Sequence, residues 1–435
     1  MSSSPAHVDR SSDVEGPVLD VARMRADFPA LGAFTHLDGT GGTQVPRKVA
    51  EAIGRALVTS TSHHGSRTPP ERTALDAMSA ARAGIADLVG GDPAGVIFGR
   101  NMTELTFRMA RTIAKTWKEG DEIVVSRLDH GANVAPWVIE AERAGCLVRW
   151  VDFDPGSTEL RADDVAGVLS ERTRLVALTA ASNLTGTRVP VRDISTMVHD
   201  VGALLYVDGV HLTPHALVDI EDLGADFFVA GTHKLFGPHC AALVAAPALL
   251  EALTPDRLPS GPHEVPDRFD VGTPPYEVLA GVAATVDYLA ELADYTVGAA
   301  SAAAQSVETI RGSVRSSGQR RQQICRAMDL IERHERTLIA RMEERFSAVV
   351  GLRRMSLAKQ RTPTELVVME GVSPEDLFLR FAADEIAVSV GRFHAMEASR
   401  ALGLGADGGV RVGLVAYNTL DEVDLAARVV TRFHQ

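Results

Sequence analysis

A lysine and an aspartate, each at the end of an apolar run, are the residues of this chain best suited to chemistry. Lys234 follows the run Phe227-Phe228-Val229, and Asp208 follows the run Ala203-Leu204-Leu205-Tyr206-Val207. A lysine amine can condense with a cofactor aldehyde, and a carboxylate can keep a pyridine nitrogen protonated so that the ring accepts electrons. The pair predicts pyridoxal phosphate chemistry, in which Lys234 forms an imine with the cofactor and later carries the substrate's α-proton.

Short apolar runs alternate with amphipathic stretches from about residue 75 to residue 250. Strands that are apolar on both faces and separated by helices predict an α/β fold with a mostly parallel sheet covered on each side. Ligands bind such sheets at the carboxyl ends of the strands, where Asn101, Asn183 and Asp208 are expected. The runs are residues 96–98, 123–125, 147–151, 175–178, 203–207, 227–229 and 243–245.

The composition changes after Thr273-Pro274-Pro275, which predicts a second, smaller domain of the α+β type. Residues 322–349 have apolar side chains at helical spacing, and residues 364–369, 386–390 and 410–415 read as strands. We predict three parts. They are residues 1–35, an N-terminal segment packing on the small domain, residues 36–285, the large cofactor-binding domain, and residues 286–435, the small C-terminal domain. Residues 298–318 fit either a loop or a weak helix.

Charge and cysteine content limit the classes of function. The 435 residues carry a net charge of −13 without a long basic run, which disfavours nucleic acid or an anionic membrane as a partner. The three cysteines are widely spaced, so neither a disulfide framework nor a metal site is expected. No apolar run is long enough for a secretory signal or a membrane span, and we expect a cytoplasmic protein.

Several segments resemble, in order along residues 35–425, the class V aminotransferase and cysteine desulfurase family of fold type I pyridoxal phosphate enzymes. The resemblance implies a mostly parallel central sheet with helices on both faces, a smaller α+β C-terminal domain, and a homodimer with active sites shared across the interface. The segments are Leu37-Asp38-Gly39-Thr40, Asn101-Met102-Thr103-Glu104, Asp129-His130-Gly131-Ala132-Asn133, Ser182-Asn183-Leu184-Thr185-Gly186, Asp208-Gly209-Val210-His211, His233-Lys234, Arg268-Phe269-Asp270-Val271-Gly272-Thr273, and Arg411 with Tyr417-Asn418-Thr419.

The same resemblance implies a set of cofactor contacts around Lys234. Asp208 pairs with the ring nitrogen, His130 stacks on the ring, and Asn183 and His211 bond to the phenolic oxygen. Each of these residues also has an ordinary alternative role as a cap, a turn or a polar surface residue. Phosphate contacts are expected from a helix start, from the residues beside the lysine and from the partner subunit, namely Asn101, Met102, Thr103, Thr232, His233 and Thr273.

The substrate is predicted to be an amino acid, because Arg411 matches the family arginine that binds the substrate carboxylate. His130 and His394 are predicted to act in catalysis together with Lys234. Residues expected to contact the substrate, besides Arg411, are Thr40, His64, Arg67 and His394.

The sequence departs from the family pattern at several positions. His394 stands where a desulfurase has its mobile cysteine, and inert packing is the favoured role of Cys240, the only cysteine near the site motifs. Gly231 replaces a serine that often binds phosphate, so Thr232 is expected to take over that contact. His211 replaces a glutamine found in many relatives. Persulfide transfer is therefore not expected.

These departures predict pyridoxal phosphate chemistry without sulfur capture. The leading hypothesis is β-elimination from a cysteine S-conjugate, with release of thiol, pyruvate and ammonia. Decarboxylation-coupled deamination of such a conjugate, transamination, and a non-catalytic cofactor-binding regulator are the alternatives. The chain is also similar to the enzymes that process cysteine S-conjugates in lincosamide antibiotic assembly, which implies a role in antibiotic biosynthesis.

Overall fold

The structure, a computed structural model, describes residues 17–59, 62–297 and 317–432. Residues 1–16 of the predicted N-terminal segment, Thr61 and residues 298–316 lie outside the described residues. The strands are β1 Val18–Leu19, β2 Thr35–His36, β3 Val96–Gly99, β4 Glu122–Ser126, β5 Leu147–Val151, β6 Thr173–Thr179, β7 Leu204–Asp208, β8 Phe227–Gly231, β9 Ala241–Ala245, β10 Thr296–Val297, β11 Leu352–Arg354, β12 Thr364–Met369, β13 Ile386–Ala387, β14 Ser389–Gly391 and β15 Gly409–Gly413.

The α-helices of the described residues alternate with these strands. They are α1 Val21–Ala26, α2 Arg47–Thr59, α3 Pro69–Val89, α4 Met102–Ile113, α5 Ala135–Ala144, α6 Ala162–Ala166, α7 Val191–Asp200, α8 Ile220–Leu223, α9 Pro247–Glu251, α10 Tyr276–Glu291, α11 Ser317–Ser347, α12 Pro374–Ala383, α13 Met396–Ala401 and α14 Leu420–Thr431.

A seven-stranded sheet forms the centre of the larger part of the molecule. Its order is β3-β9-β8-β7-β6-β4-β5, and all neighbours are parallel except that β9 is antiparallel to β3 and β8. Successive strand residues enter two different cores, as Val124 and Val125 of β4 show. Since both faces are buried, the strands are apolar throughout, and the predicted mostly parallel sheet is confirmed.

A four-stranded antiparallel sheet, ordered β11-β12-β15-β14, forms the second, smaller unit. The strands predicted at 364–369 and 410–415 are β12 and β15. The strand predicted at 386–390 is instead two short strands, of which β14 belongs to this sheet and β13 does not. The long helix α11 connects the two units. Ile324 and Met328 near its start lie in a core of the large sheet, whereas Met342 and Phe346 near its end lie in the core of the small sheet. The predicted boundary at residue 285 falls inside α10, and we propose that the division lies within α11 instead.

The described part of the N-terminal segment contacts both units. β1 pairs with β10, while the Arg25 side chain donates to the Tyr417 carbonyl and forms an ion pair with Glu422. β2 pairs in parallel with β13. These contacts bring the turn after β2, which carries Asp38 and Thr40, against β15 and therefore into the cleft between the two sheets.

Candidate active site

A cavity of about 580 Å³ lies at the carboxyl edge of the large sheet, where the small unit covers it. Most of the predicted site residues line this cavity, although the strands and loops that carry them are far apart in the sequence. The predicted residues found there are Thr40, Asn101, Met102, Thr103, His130, Asn183, Asp208, His211, His233, Lys234, His394 and Arg411.

Lys234 ends a short 3-10 turn directly after β8, and Asp208 is the last residue of the neighbouring strand β7. Burial and the nearby Arg411 together lower the pKa of Lys234 to about 8, although Asp208 and Asp38 oppose the change. Burial raises the pKa of Asp208, and Lys234 partly offsets this. A buried carboxylate and a buried amine of this kind favour a ligand that supplies a cationic N–H to Asp208 and an electrophile to Lys234.

Three further polar side chains, those of His130, His211 and Asn183, line the same cavity as Lys234 and Asp208. The His130 Nδ1 accepts the Ala132 backbone N–H at 3.0 Å, and burial together with Lys234 lowers the pKa of His130 to about 3. His130 is therefore a neutral ring with its hydrogen on Nε2. The pKa of His211 is well below its usual value because this residue is buried beside cations.

His211 and Asn183 each keep an unused polar atom at the cavity. His211 Nε2 lies 2.9 Å from the Thr362 hydroxyl and 3.0 Å from the Thr364 hydroxyl, whereas Nδ1 is buried without a hydrogen-bond partner. Asn183 Nδ2 donates to the Phe393 carbonyl at 2.9 Å, and its Oδ1 is buried without a partner. Buried polar groups are normally paired, so these atoms fit a site that binds a polar ligand.

The start of α4 forms another part of the cavity lining. Asn101 is the N-cap and its side chain accepts the Glu104 backbone N–H, so the first helical N–H groups face the cavity with Met102 and Thr103. This arrangement suits a phosphate. His233 also lines the cavity, and burial lowers its pKa to about 4.

Steric crowding explains why Gly231 stands where the family pattern often has a serine. A Cβ at Gly231 would lie 3.0 Å from the His233 ring and 3.1 Å from Val210. A serine there would therefore crowd His233. Thr232 does not take over the contact, because its hydroxyl donates to the Pro238 and Cys240 carbonyls behind the cavity wall. The expectation that Thr232 binds the phosphate is not supported by this geometry.

Arg411 lies in β15 and is 4% exposed. Its Nη1 donates to the Asn183 carbonyl at 2.9 Å, and its Nη2 lies 3.3 Å from Asp38 Oδ1. The ring of Phe393 lies 4.0 Å from the guanidinium carbon, and Nε has no hydrogen-bond partner. A cation fixed in this way, with a free N–H edge, can bind a carboxylate.

Three predicted residues lie together away from the cavity. His64 bonds to the Tyr276 hydroxyl at 2.8 Å, Thr273 lies 3.5 Å from the ring of His63, and Arg67 belongs to the same exposed loop. The structure of one subunit therefore does not bring Thr273, His64 or Arg67 to the cofactor or the substrate.

Sequence reasoning missed several cavity residues, and a group of them lies on β14, on the loop after it and at the start of α13. Ser389, Arg392, Phe393 and Met396 line the cavity, although only His394 of this segment had been predicted to do so. Two consecutive non-glycine residues, Phe393 and His394, have φ values of 52° and 57°. No sequence signal announces such a conformation, but proximity to His394 could have directed attention to Arg392.

The comparisons with known proteins identify the family of this chain. The protein-family model described as "Aminotransferase class-V" matches residues 35–321 and 324–425. The chain belongs to the class V aminotransferase family. It is an enzyme of the cysteine desulfurase-like type with fold type I, and its cofactor is pyridoxal 5'-phosphate.

Individual relatives cover nearly the whole chain. An uncharacterized protein of Mycobacterium tuberculosis is 31% identical over 418 residues, which are 94% of this chain and 98% of the relative. "Probable cysteine desulfurase 2" of Mycobacterium leprae is 30% identical over 445 residues, covering 95% of this chain and 96% of the relative. The crystal structure of a cysteine desulfurase from Escherichia coli has a TM-score of 0.80 and 25% identity, with coverage of 95% of this chain and 98% of the other.

The residues present fit this cofactor. Lys234 would hold the aldehyde, Asp208 the ring nitrogen, His211 Nδ1 the phenolic oxygen, and the start of α4 with His233 the phosphate. In the described ranges no cluster of three or more His, Cys, Asp or Glu side chains could hold a metal ion. Within the same ranges, no helix combines the length and apolarity that crossing a bilayer requires.

Proposed function

We propose that this enzyme is a carbon–sulfur lyase that acts on a cysteine S-conjugate by β-elimination. The Cα–H bond breaks and its proton goes to the enzyme. The Cβ–S bond then breaks with its electron pair on sulfur, and the sulfur leaves as a thiol. Water converts the remaining three-carbon fragment to pyruvate and ammonia. Pyridoxal phosphate supplies an aromatic ring that takes up the negative charge left at Cα.

Lys234 suits the role of the base. Because its pKa is lowered to about 8, a useful fraction of its amine is uncharged near neutral pH and can accept the Cα proton at Nζ. Arg411 is placed to hold the substrate carboxylate, and this contact would limit how the amino acid turns about its Cα.

The observation that carries the proposal is that the small unit places a histidine, His394, in the cavity. His394 lies there with its ring 5.2 Å from the ring of His130, and none of the described residues that line the cavity is a cysteine. A desulfurase needs an accessible thiolate to receive sulfur. Cys240 does not fit that task, because it is buried, its Sγ lies 3.5 Å from the Gly99 carbonyl, and burial raises the pKa of its thiol to about 12.

His394 suits proton donation to the leaving sulfur. It is exposed on its loop, whereas His130 is held neutral and has its Nδ1 engaged by the Ala132 N–H. Under this proposal His130 contacts the cofactor ring and His394 gives the proton. The imidazole of His394 would then donate a proton at the position where desulfurases have a cysteine that accepts sulfur.

Product analysis with S-alkyl-L-cysteines tests the proposal. The expected result is equal amounts of thiol and pyruvate, with ammonia. Carbon dioxide with an aldehyde that keeps the sulfur would indicate decarboxylation-coupled deamination. A keto acid that keeps the sulfur would indicate an aminotransferase. Alanine and an enzyme persulfide formed from free L-cysteine would indicate a desulfurase, and each of these three outcomes would reject the lyase.

The homodimer with shared active sites is also a proposal. Thr273, His63 and His64 group outside the cavity of their own subunit, beside the strongly exposed Val271. A partner subunit covering this group would receive Thr273 at its phosphate. A mixture of Lys234→Ala and Thr273→Val proteins tests this, because a mixed dimer then has one site with both residues intact. Recovery of activity on mixing is expected, and no recovery would mean that Thr273 does not act across the interface.

A further inference from the structure

Arg392 is a cavity residue that neither the cofactor nor the substrate carboxylate accounts for. It follows β14 directly and precedes Phe393, and its side chain lines the cavity and is partly exposed. Among the residues that the structure describes, no carboxylate forms an ion pair with it. Neighbouring arginines differ in this respect, because Arg127 pairs with Asp152 and Glu397, and Arg400 pairs with Glu397.

The charges of the cavity are unbalanced in favour of cations. Lys234, Arg392 and Arg411 line it, whereas Asp208 is the one acidic residue in its lining among the described parts of the chain. The histidines whose pKa is lowered do not add charge near neutral pH, and they include His130, His211 and His233. Lys234, Asp208 and Arg411 have assigned tasks, and Arg411 also has Asp38 as a counter-ion. The charge of Arg392 is thus available to a ligand, in a chain whose net charge is −13.

The strand register places Arg392 and Arg411 at a definite spacing. Ser389 of β14 lies opposite Arg411 of β15, and Arg392 follows Ser389 by three positions. Three residues of extended chain span roughly 10 Å, so the two backbone attachment points are separated along the strand direction by up to about that length. Arg392 and Arg411 both line the cavity, and separate attachment points allow the two side chains to bind anions at the two ends of one molecule rather than two oxygens of one carboxylate.

We propose that Arg392 determines specificity by binding an anionic group, a carboxylate, at the far end of the substrate's sulfur substituent. This inference rests on the proposed function, in which Arg411 holds the α-carboxylate of a cysteine conjugate. The substrate class is then cysteine S-conjugates with an acidic S-substituent. A carboxylate on Arg392 would hold the sulfur near His394, two residues further along the same loop.

The phosphate of the cofactor is the competing occupant. Its place at the start of α4 has Asn101, Met102, Thr103 and His233 around it, and these belong to the large unit, whereas Arg392 belongs to the small unit. The geometry therefore favours the substrate, and the cofactor affinity of an Arg392 variant distinguishes the two.

The experiment compares S-(2-carboxyethyl)-L-cysteine with its neutral amide S-(2-carbamoylethyl)-L-cysteine, which has nearly the same shape. Dissociation constants are measured from the change in cofactor absorbance on titration. The native enzyme should bind the carboxylate about 10- to 100-fold more tightly than the amide, as expected for one charge-assisted hydrogen-bonded pair. In Arg392→Gln this ratio should fall to about 1, and in Arg392→Lys it should stay at several-fold.

Arg400→Gln is the matched control, because it removes the same charge eight residues further along the chain from a side chain that does not line the cavity. It should keep the native ratio. Equal binding of the two probes by the native enzyme, equal weakening of both in Arg392→Gln, or a weaker hold on pyridoxal phosphate with an unchanged ratio would each overturn the inference. Since the ratio compares dissociation constants, it tests the role of Arg392 independently of whether the carbon–sulfur bond breaks.

Discussion

Replacement of Arg411 by lysine isolates the contact on which amino acid recognition depends. The arginine is nearly fully buried, its Nη1 is held by the Asn183 carbonyl, its Nη2 lies 3.3 Å from Asp38, and its Nε has no partner. A substrate carboxylate can therefore meet two N–H groups on the edge that contains Nε. Lysine keeps the positive charge but offers one nitrogen, so it cannot hold the carboxylate at two points.

The expected loss is about one charge-assisted hydrogen bond. Such bonds contribute about 1.5–3 kcal/mol, which corresponds to a dissociation constant raised roughly 10- to 150-fold. The assay is a titration of Arg411→Lys and native enzyme with S-methyl-L-cysteine and with S-methylcysteamine, which lacks the carboxylate. Only the amino acid should bind more weakly in the variant, and the amine should change by less than about twofold.

Arg361→Lys provides the control for a buried arginine outside the cavity. Arg361 is 6% exposed and pairs with Glu343 and Glu365. Its replacement should reduce the free energy of unfolding while leaving the ratio of the two ligands unchanged. Equal weakening of the amino acid and the amine by Arg411→Lys would refute the reasoning, because it would show that Arg411 acts on the fold of the site and not on the carboxylate.

Other predictions concern the amine, the thiol and the loop histidine. Lys234→Ala should lose the visible absorbance of lysine-bound cofactor, whereas the exposed Lys359→Ala should keep it. The pKa of Lys234 is lowered to about 8, so the rate at which cofactor-free protein binds the cofactor should rise about tenfold for each unit of increasing pH up to pH 8 and become constant above it. A midpoint of this rate profile near pH 10 would contradict the prediction. Cys240→Ala should keep thiol release within about twofold, and inactivity would argue for sulfur transfer. His394→Gln should slow release of alkyl thiols about 100-fold but hardly affect aryl thiols, which leave without a proton; equal slowing would exclude proton donation by His394.

The large sheet and the part of the site that binds the cofactor could be predicted from local sequence patterns. Runs such as 123–125 and 175–178 are apolar at every position because both faces of β4 and β6 are buried, and this pattern is local to each strand. Asn101 and Asp208 lie at strand ends, so the shared carboxyl edge of the sheet brings them together. The sequence also indicated that the chain has a second unit, from its change in composition.

The features of the fold and the site that the sequence did not predict depend on contacts between distant segments. β9 pairs antiparallel to β8 because a short connection that contains Lys234 joins the two strands. Hydrophobic periodicity does not indicate this strand direction. The hydroxyl direction of Thr232 is set by the Pro238 and Cys240 carbonyls, which sequence spacing does not reveal. The position of Arg392 depends on how the small sheet docks, and this is a tertiary property.

The loop that carries His394 supplies the strongest physical argument against a sulfur carrier. Phe393 and His394 have left-handed backbones, each of which costs a non-glycine residue about 1–2 kcal/mol. Contacts to the large unit offset this cost, since Asn183 donates to the Phe393 carbonyl and the Gly131 N–H donates to the His394 carbonyl at 2.8 Å.

A second anchor holds the helix after this loop, because Glu397 of α13 pairs with Arg127 and Arg127 lies over Trp150. A residue that collects sulfur and delivers it elsewhere must leave the cavity between the two steps, whereas a proton donor acts best from a fixed position. Anchoring on both sides of His394 therefore favours local proton transfer. Removal of one anchor, as in Glu397→Gln, should reduce thiol release from alkyl conjugates more than it reduces substrate binding, and a loss confined to binding would contradict the argument.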